Sequence, residues 1–168
     1  LFVQSHVPEH TVLAWILGNE VPVWVVDVLG ARTVERRLTA LAARVRARDP
    51  GRLLGHANWP PTRELELGSF DLACFNLYPA WPYEVVVKGF GPYLREVIAP
   101  LANGRPLLVT EFGINSLEAG ETRQAAVLAE CWREIATSPA AGGVVFAWSD
   151  EWWKNYDSPI PGRGYWER

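Results

Sequence analysis

Methionine is absent from the 168 residues, and cysteine occurs only twice. A primary translation product begins with methionine, so the sequence is expected to be an excerpt of a longer chain; no signal peptide is visible. Cys74 and Cys131 each lie inside an apolar run and read as buried thiols rather than a disulfide. Two cysteines cannot make a thiolate zinc site, and they leave the redox compartment open. There is no long hydrophobic stretch either. Hydrophobic residues reach 49%, too many for a disordered chain and too evenly spread for a transmembrane span. An excess of positive charge is missing as well: the formal net charge is −3, and the arginines between positions 32 and 52 alternate with apolar helix positions, as on a solvated helix face. No nucleic-acid or membrane partner is therefore expected. No low-complexity tract appears, nor any repeat beyond a supersecondary one.

The chain contains short apolar strands that end in polar groups. The run Val12 to Leu17 has no polar alternation, then stops in Gly18-Asn19-Glu20. Such a run suits a strand covered on both faces, as in a parallel sheet wrapped by helices. A second run of the same design, Pro106 to Thr110, ends in Glu111-Phe112-Gly113. Between and after them, Leu53–Ala57, Leu72–Leu77 and Val144–Trp148 read as three further strands.

Helical patterns separate the strands. Thr33 can cap a helix over 34–48 that buries Val34, Leu38, Leu41, Ala42 and Val45 and is stopped by Asp49-Pro50-Gly51. The link from Asn58 to Asp71 reads as a loop with one turn, and 80–91 as an aromatic, Pro/Gly-punctuated loop. Pro92 opens a short helix to Leu101. The segment 121–137 is the strongest helix, with Leu128, Cys131, Trp132 and Ile135 on one face. Pro139 and Gly142-Gly143 are expected to separate it from the last strand. Alternation of this kind specifies parallel β/α units. A closed (β/α)8 barrel needs eight strands and typically about 250 residues, so five strands match part of one. In such barrels the chemistry sits at the carboxyl ends of the strands, where Glu20 and Glu111 fall.

Nine tryptophans are more than a core of this size needs. Several fall at strand ends or in loops: Trp24, Trp59, Trp81, Trp148, Trp152 and Trp153. Sugar rings present apolar C–H faces that stack on aromatic rings, whereas core filling accounts for about half of the nine.

Taken in order, Trp15-Ile-Leu-Gly-Asn-Glu20, Asn76-Leu-Tyr-Pro79, Leu108-Val-Thr-Glu-Phe-Gly113 and Phe146-Ala-Trp148 resemble the clan A glycoside hydrolases, retaining (β/α)8 barrels. The nearest likeness is to the catalytic barrel of the β-galactosidase/β-glucuronidase family. The resemblance runs over nearly the whole chain and implies that residues 1–168 are the C-terminal part of such a domain, strands four to eight. It further implies that Glu20 is the general acid/base and Glu111 the nucleophile. Asn19 would bond the sugar 2-hydroxyl, Tyr78 would donate to the nucleophile, and Trp148 would lie under the sugar in the −1 subsite. A carbohydrate substrate is implied, with no cofactor or metal. The missing strands would come from the rest of a longer chain or from another subunit. A secreted or periplasmic setting is favoured over a cytoplasmic one.

The chemistry has its own reason for this set. Breaking a glycosidic bond needs a proton on the leaving oxygen and negative charge beside an oxocarbenium-like carbon. One carboxyl must hold a proton while its neighbour is ionised, so their surroundings must differ. A hydrogen bond from Tyr78 would keep Glu111 ionised, and like-charge repulsion from Glu111 would help Glu20 keep its proton. Carboxyls about 5–5.5 Å apart would imply a retaining reaction through a covalent intermediate. Asn58 and Trp59 are candidate substrate contacts at the end of the second strand, as are Asp150, Glu151 and Trp152 after the fifth. Asp150 and Glu151 could equally form ion pairs with Lys154, and His56 could line the cleft or serve as a structural histidine. The same residues would serve a transglycosidase. A non-catalytic carbohydrate-binding barrel is the alternative from another class, and the presence of both glutamates argues against it.

Overall fold

The computed structural model describes residues 12–148. Five strands form one all-parallel sheet in sequence order: β1 (Ala14–Asn19), β2 (Leu53–Asn58), β3 (Ala73–Asn76), β4 (Leu107–Phe112) and β5 (Ala140–Val145). Between them run α1 (Val23–Leu29) and α2 (Ala31–Arg46), a 3-10 turn at Pro60–Thr62, α3 (Tyr83–Lys88), and α4, built of Phe90–Tyr93, a π turn Leu94–Ile98 and Ala99–Leu101. Next come α5 (Ser116–Ala119) and α6 (Glu121–Ala136). Sequence-ordered parallel strands with intervening helices are consecutive β/α units of a (β/α)8 barrel, present here as an open arc.

The helices cover one side of the sheet. Val34, Ala42 and Leu54 pack with Leu65, Leu67 and Phe70, and partly buried Trp15 and Leu17 join them. A second cluster gathers Ala73, Phe75, Leu107, Val109 and Phe112 of the strands with Tyr93, Leu94 and Ile98 of α4 and Val127, Cys131 and Ile135 of α6. Alternate strand residues point to the other side, the inner wall of the arc. There Gly55 is hemmed in: a Cβ on it would lie 2.6 Å from Cys74 Sγ and 2.9 Å from Ile16 Cδ1. The arc's outer strands are its least covered. Ile16 of β1 and Val144 and Val145 of β5 are exposed, whereas every residue of β3 is buried.

At the amino-terminal edge of the sheet, Asp71 Oδ2 accepts from Arg46 Nη2 at 2.9 Å and from the Leu54 N–H at 2.8 Å, tying the end of α2 to the start of β2. Burial alone would raise the Asp71 pKa, but the bonds from Arg46 and Leu54 win and hold it below the usual value. Both cysteines are free and buried, and burial pushes each thiol up to about 12. Among the described residues no helix is long and apolar enough to cross a membrane.

The helix expected over 34–48 with Thr33 as its cap instead runs from Ala31 to Arg46 after Gly30, with Thr33 inside it, and Leu41 on it is exposed. The segment 23–29, to which the sequence assigned no element, forms α1, and 83–88 forms α3 inside what reads as a loop. The fifth strand spans Ala140–Val145, so Gly142-Gly143 lie within it instead of before it. The reason is close packing: a Cβ on Gly143 would come 2.9 Å from Ile135 Cδ1 and 3.1 Å from Phe112 Cε1, and glycine lets the strand lie flat on that pair. Trp132, expected on the buried face of α6, is half exposed and stacks on Phe112 with ring centroids 6.4 Å apart, while Val127 takes the buried position.

His56 belongs to the fold and not to a cleft. It is 2% exposed, Nδ1 donates to the Leu17 carbonyl at 2.9 Å, and its ring lies 6.2 Å from that of Phe70 in the helix-side core. Among the described residues Nε2 meets no hydrogen-bond partner. A proton there would be a buried N–H without an acceptor, so burial lowers the pKa from 6.5, against the smaller upward pull of the Leu17 carbonyl. The stabilising contribution of neutral His56 is complete above pH 6.5, and is lost as pH falls from there toward the lowered folded-state value. Urea unfolding is therefore expected to show stability declining through this window by at most about 1.4 kcal/mol per pH unit for this one group. His56→Gln should remove that part of the slope; an unchanged slope would show that His56 is not the group responsible.

Candidate active site

Each glutamate follows a β-bulge. Along β1, Ile16 pairs with Gly55 and Asn19 with Ala57, so three steps on β1 oppose two on β2. The extra residue is accommodated at Gly18, whose φ of +89° suits glycine, and a Cβ there would meet His56 Nδ1 at 3.3 Å. Glu20 itself has φ +41°, a left-handed backbone rarely adopted by residues with a side chain, and its N–H is held by the Ala57 carbonyl at 2.8 Å. Along β4, Phe75 pairs with Val109 and Asn76 with Glu111, so two steps oppose one. Regular alternation after helix-facing Val109 would send Glu111 toward the helices; the bulge turns it to the same side as Thr110.

The two strand ends meet on Asn76. This residue closes β3 and is 1% exposed. Its Nδ2 donates to Asn19 Oδ1 at 2.8 Å and to Glu20 Oε1 at 2.9 Å, and its Oδ1 accepts from Thr110 Oγ1 at 2.7 Å. Thr110 thereby sets which way round the amide sits, because a flipped Asn76 would face the hydroxyl with a donor and the carboxylate with an acceptor. Across the ladder Asn76 is the register partner of Glu111. One buried amide is thus hydrogen-bonded to one glutamate and side by side with the other. Tyr78 Oη donates to Glu111 Oε2 at 2.5 Å.

The remaining candidates divide. Asn19 has its Oδ1 tied to Asn76, which leaves the amide Nδ2 to offer a ligand. Asn58, expected as a substrate contact, has its polar atoms engaged within the protein. It is 1% exposed, its Oδ1 accepts from Trp59 N–H at 2.9 Å and Thr62 Oγ1 at 3.0 Å, and its Nδ2 donates to the Thr62 carbonyl at 3.1 Å, so it holds its own turn. Trp59 lies at the same strand end, with Nε1 donating to the Val21 carbonyl at 2.9 Å. Trp148 lies beyond β5 and is fully exposed, and no described contact joins it to either glutamate. Asp150, Glu151, Trp152 and Lys154 fall outside the described residues. Among the described residues no group of three or more His, Cys, Asp or Glu is placed to hold a metal.

Asn76 is the site residue that sequence reasoning passed over. Its signal was available in the Asn-Leu-Tyr-Pro segment, since a polar residue closing a buried strand needs partners, but the strand pairing that supplies them was not.

Replacing Asn76 by alanine should cost about 1–3 kcal/mol, because Thr110 and Asn19 lose buried partners. The near-isosteric Asn76→Asp replaces the donating amide by a carboxyl that faces two acceptors, Asn19 Oδ1 and Glu20 Oε1, so its loss should be larger at neutral pH than near pH ~4, where the introduced carboxyl takes up a proton. Denaturant unfolding at the two pH values reads this difference, and equal losses would separate Asn76 from Glu20.

No protein-family model matches the chain, and no curated protein matches it in sequence. Solved structures do match the fold. The endo-β-1,4-mannanase from Thermotoga petrophila superposes with a TM-score of 0.60 at 16% identity, over 90% of this chain and 40% of that one. The endo-1,4-β-mannanase from Rhizomucor miehei gives 0.61 at 14% identity over 79% of this chain and 44% of its own. An uncultured Clostridium sp. β-glucuronidase gives 0.57 at 18% identity over 70% and 23%. The chain thus spans less than half the length of each of these proteins, and what it shares with them is the (β/α)8 fold.

Proposed function

We propose that this chain is the C-terminal portion, strands four to eight, of the catalytic barrel of a retaining β-glycoside hydrolase. Glu111 is the nucleophile and Glu20 the acid/base. The observation that carries the reading is the buried Asn76, whose amide bonds Glu20 at the end of β1 and whose ladder partner on β4 is Glu111, so that one residue joins the ends of two non-neighbouring parallel strands. The mannanase and glucuronidase folds support it, as do the exposed apolar residues on β1 and β5, which suit further strands supplied by the rest of a longer chain or by another subunit.

In the first step a Glu111 carboxylate oxygen attacks the anomeric carbon as the glycosidic C–O bond breaks, and Glu20 gives its proton to the departing oxygen. With Glu20 Oε1 accepting from Asn76, the transferable proton belongs on Oε2. In the second step Glu20 takes a proton from water, whose oxygen displaces Glu111 from the anomeric carbon. Tyr78 keeps Glu111 ionised and oriented between turnovers. Asn19 offers its amide N–H to the sugar 2-hydroxyl, a bond that strengthens as charge develops on the ring. Trp148 provides the platform beneath that ring, and the substrate is a β-linked carbohydrate.

In the intact protein, a 2-deoxy-2-fluoro-β-glycoside with an activated leaving group should label Glu111, located by peptide mass. Glu20→Ala should lose about 10²–10⁴-fold in kcat/KM on substrates with poor leaving groups and far less on activated ones, with azide restoring turnover of the latter. A panel of aryl β-glycosides would identify the sugar. Label on another residue, or a Glu20→Ala variant with unchanged kinetics, would refute these roles.

A further inference from the structure

Trp81 is an exposed indole whose place in the fold the steps above leave unused. It lies in the turn that follows β3, joined to Tyr78 by an antiparallel bridge with Trp81 N–H donating to the Tyr78 carbonyl at 3.4 Å. Its ring stacks on that of Trp59, with centroids 5.1 Å apart and planes 27° from parallel. Trp59 in turn is anchored through Nε1 to the carbonyl of Val21, the residue directly after Glu20. The stacked pair therefore bridges the loop carrying the acid/base and the loop carrying the tyrosine that holds the nucleophile. Trp59 covers one side of Trp81, yet Trp81 remains 46% exposed.

We propose that Trp81, braced by Trp59, is the platform on which the leaving-group sugar stacks, the first ring beyond the bond that is cut. This inference rests on the hydrolase reading above. The acid/base stands on the side of the scissile bond from which the leaving group departs, so a platform tied to the acid's own loop falls on that side. A bare indole face in water is an unsatisfied apolar surface, and the C–H face of a pyranose is its natural cover. The Trp59 anchor fixes the platform's height relative to Glu20, so a ring resting on Trp81 presents its glycosidic oxygen to that carboxyl rather than to bulk water. The class of substrate that follows is a β-linked di- or oligosaccharide, with a sugar ring on both sides of the bond.

The test compares two substrates of the same donor sugar, a β-1,4-linked disaccharide and the β-glycosyl fluoride, taken in the gluco, galacto, manno and glucurono series. The fluoride carries no leaving-group ring and reads the chemistry alone. Trp81→Ala should lower kcat/KM on the disaccharide by about tenfold or more, chiefly through KM, and leave fluoride hydrolysis within about twofold. Trp81→Leu, which keeps Trp59 covered but offers no flat face, should behave like the alanine variant, and Trp81→Phe should retain most of the activity. Equal losses on both substrates in the leucine variant, or full disaccharide activity in it, would overturn the platform while leaving the hydrolase reading standing. A parent protein that cleaves neither substrate in any series would overturn the hydrolase reading, and the platform with it.

Discussion

The side-chain amide of Asn76 holds the carboxyl-terminal edge of the sheet together. Parallel strands are joined by backbone hydrogen bonds only to their immediate neighbours, and nothing in that ladder links β1 to β3. Asn76 makes that link, reaching past β2 to Asn19 and Glu20 while Thr110 of β4 fixes its orientation. A buried amide with a misplaced donor or acceptor is costly, so the network tolerates few alternative arrangements. The left-handed backbone at Glu20 persists for the same reason: its N–H is bonded to Ala57 and its carboxylate to Asn76, and both would be lost in relaxing to an ordinary conformation.

The two bulges make the network possible. A strand buried on one side by helices and facing a lumen on the other alternates strictly, and strict alternation allows one inward residue in two. An extra residue at Gly18, and another beside Thr110, break that parity just before each glutamate. The core is undisturbed, since Leu17, Val109 and Phe112 keep their helix-side places. Bulges of this kind re-aim side chains without altering the sheet, which is why they occur beside functional groups.

A division of labour runs along β2 as well. Leu54 and His56 serve the helix side, Gly55 gives way to Cys74 and Ile16, and Asn58 locks the turn that carries Trp59. The strand contributes no charged group to the candidate site, yet its loop delivers an indole to the rim beside the loop that follows Glu20. Rim and floor are therefore coupled through backbone carbonyls, Val21 accepting from Trp59 and Tyr78 from Trp81.

Periodicity and punctuation alone revealed the order of the strands and the two longest helices, the burial of Cys74 and Cys131, and the two glutamates at strand ends. These are local properties: an unbroken apolar run, a proline or a glycine act within a few residues of themselves. Boundaries moved where packing overrode local signals, as when Gly142-Gly143 became part of β5, where Ile135 and Phe112 leave no room for a side chain at Gly143. The roles of Asn76 and Asn58 were beyond reach for a related reason. Both are asparagines at the ends of buried strands, alike in local sequence, and only the pairing of strands sets one against Glu20 and the other against its own turn. The residue types of the candidate site were written in the chain, whereas their meeting depended on register, because hydrogen-bond partners far apart in sequence are chosen by how strands lie side by side.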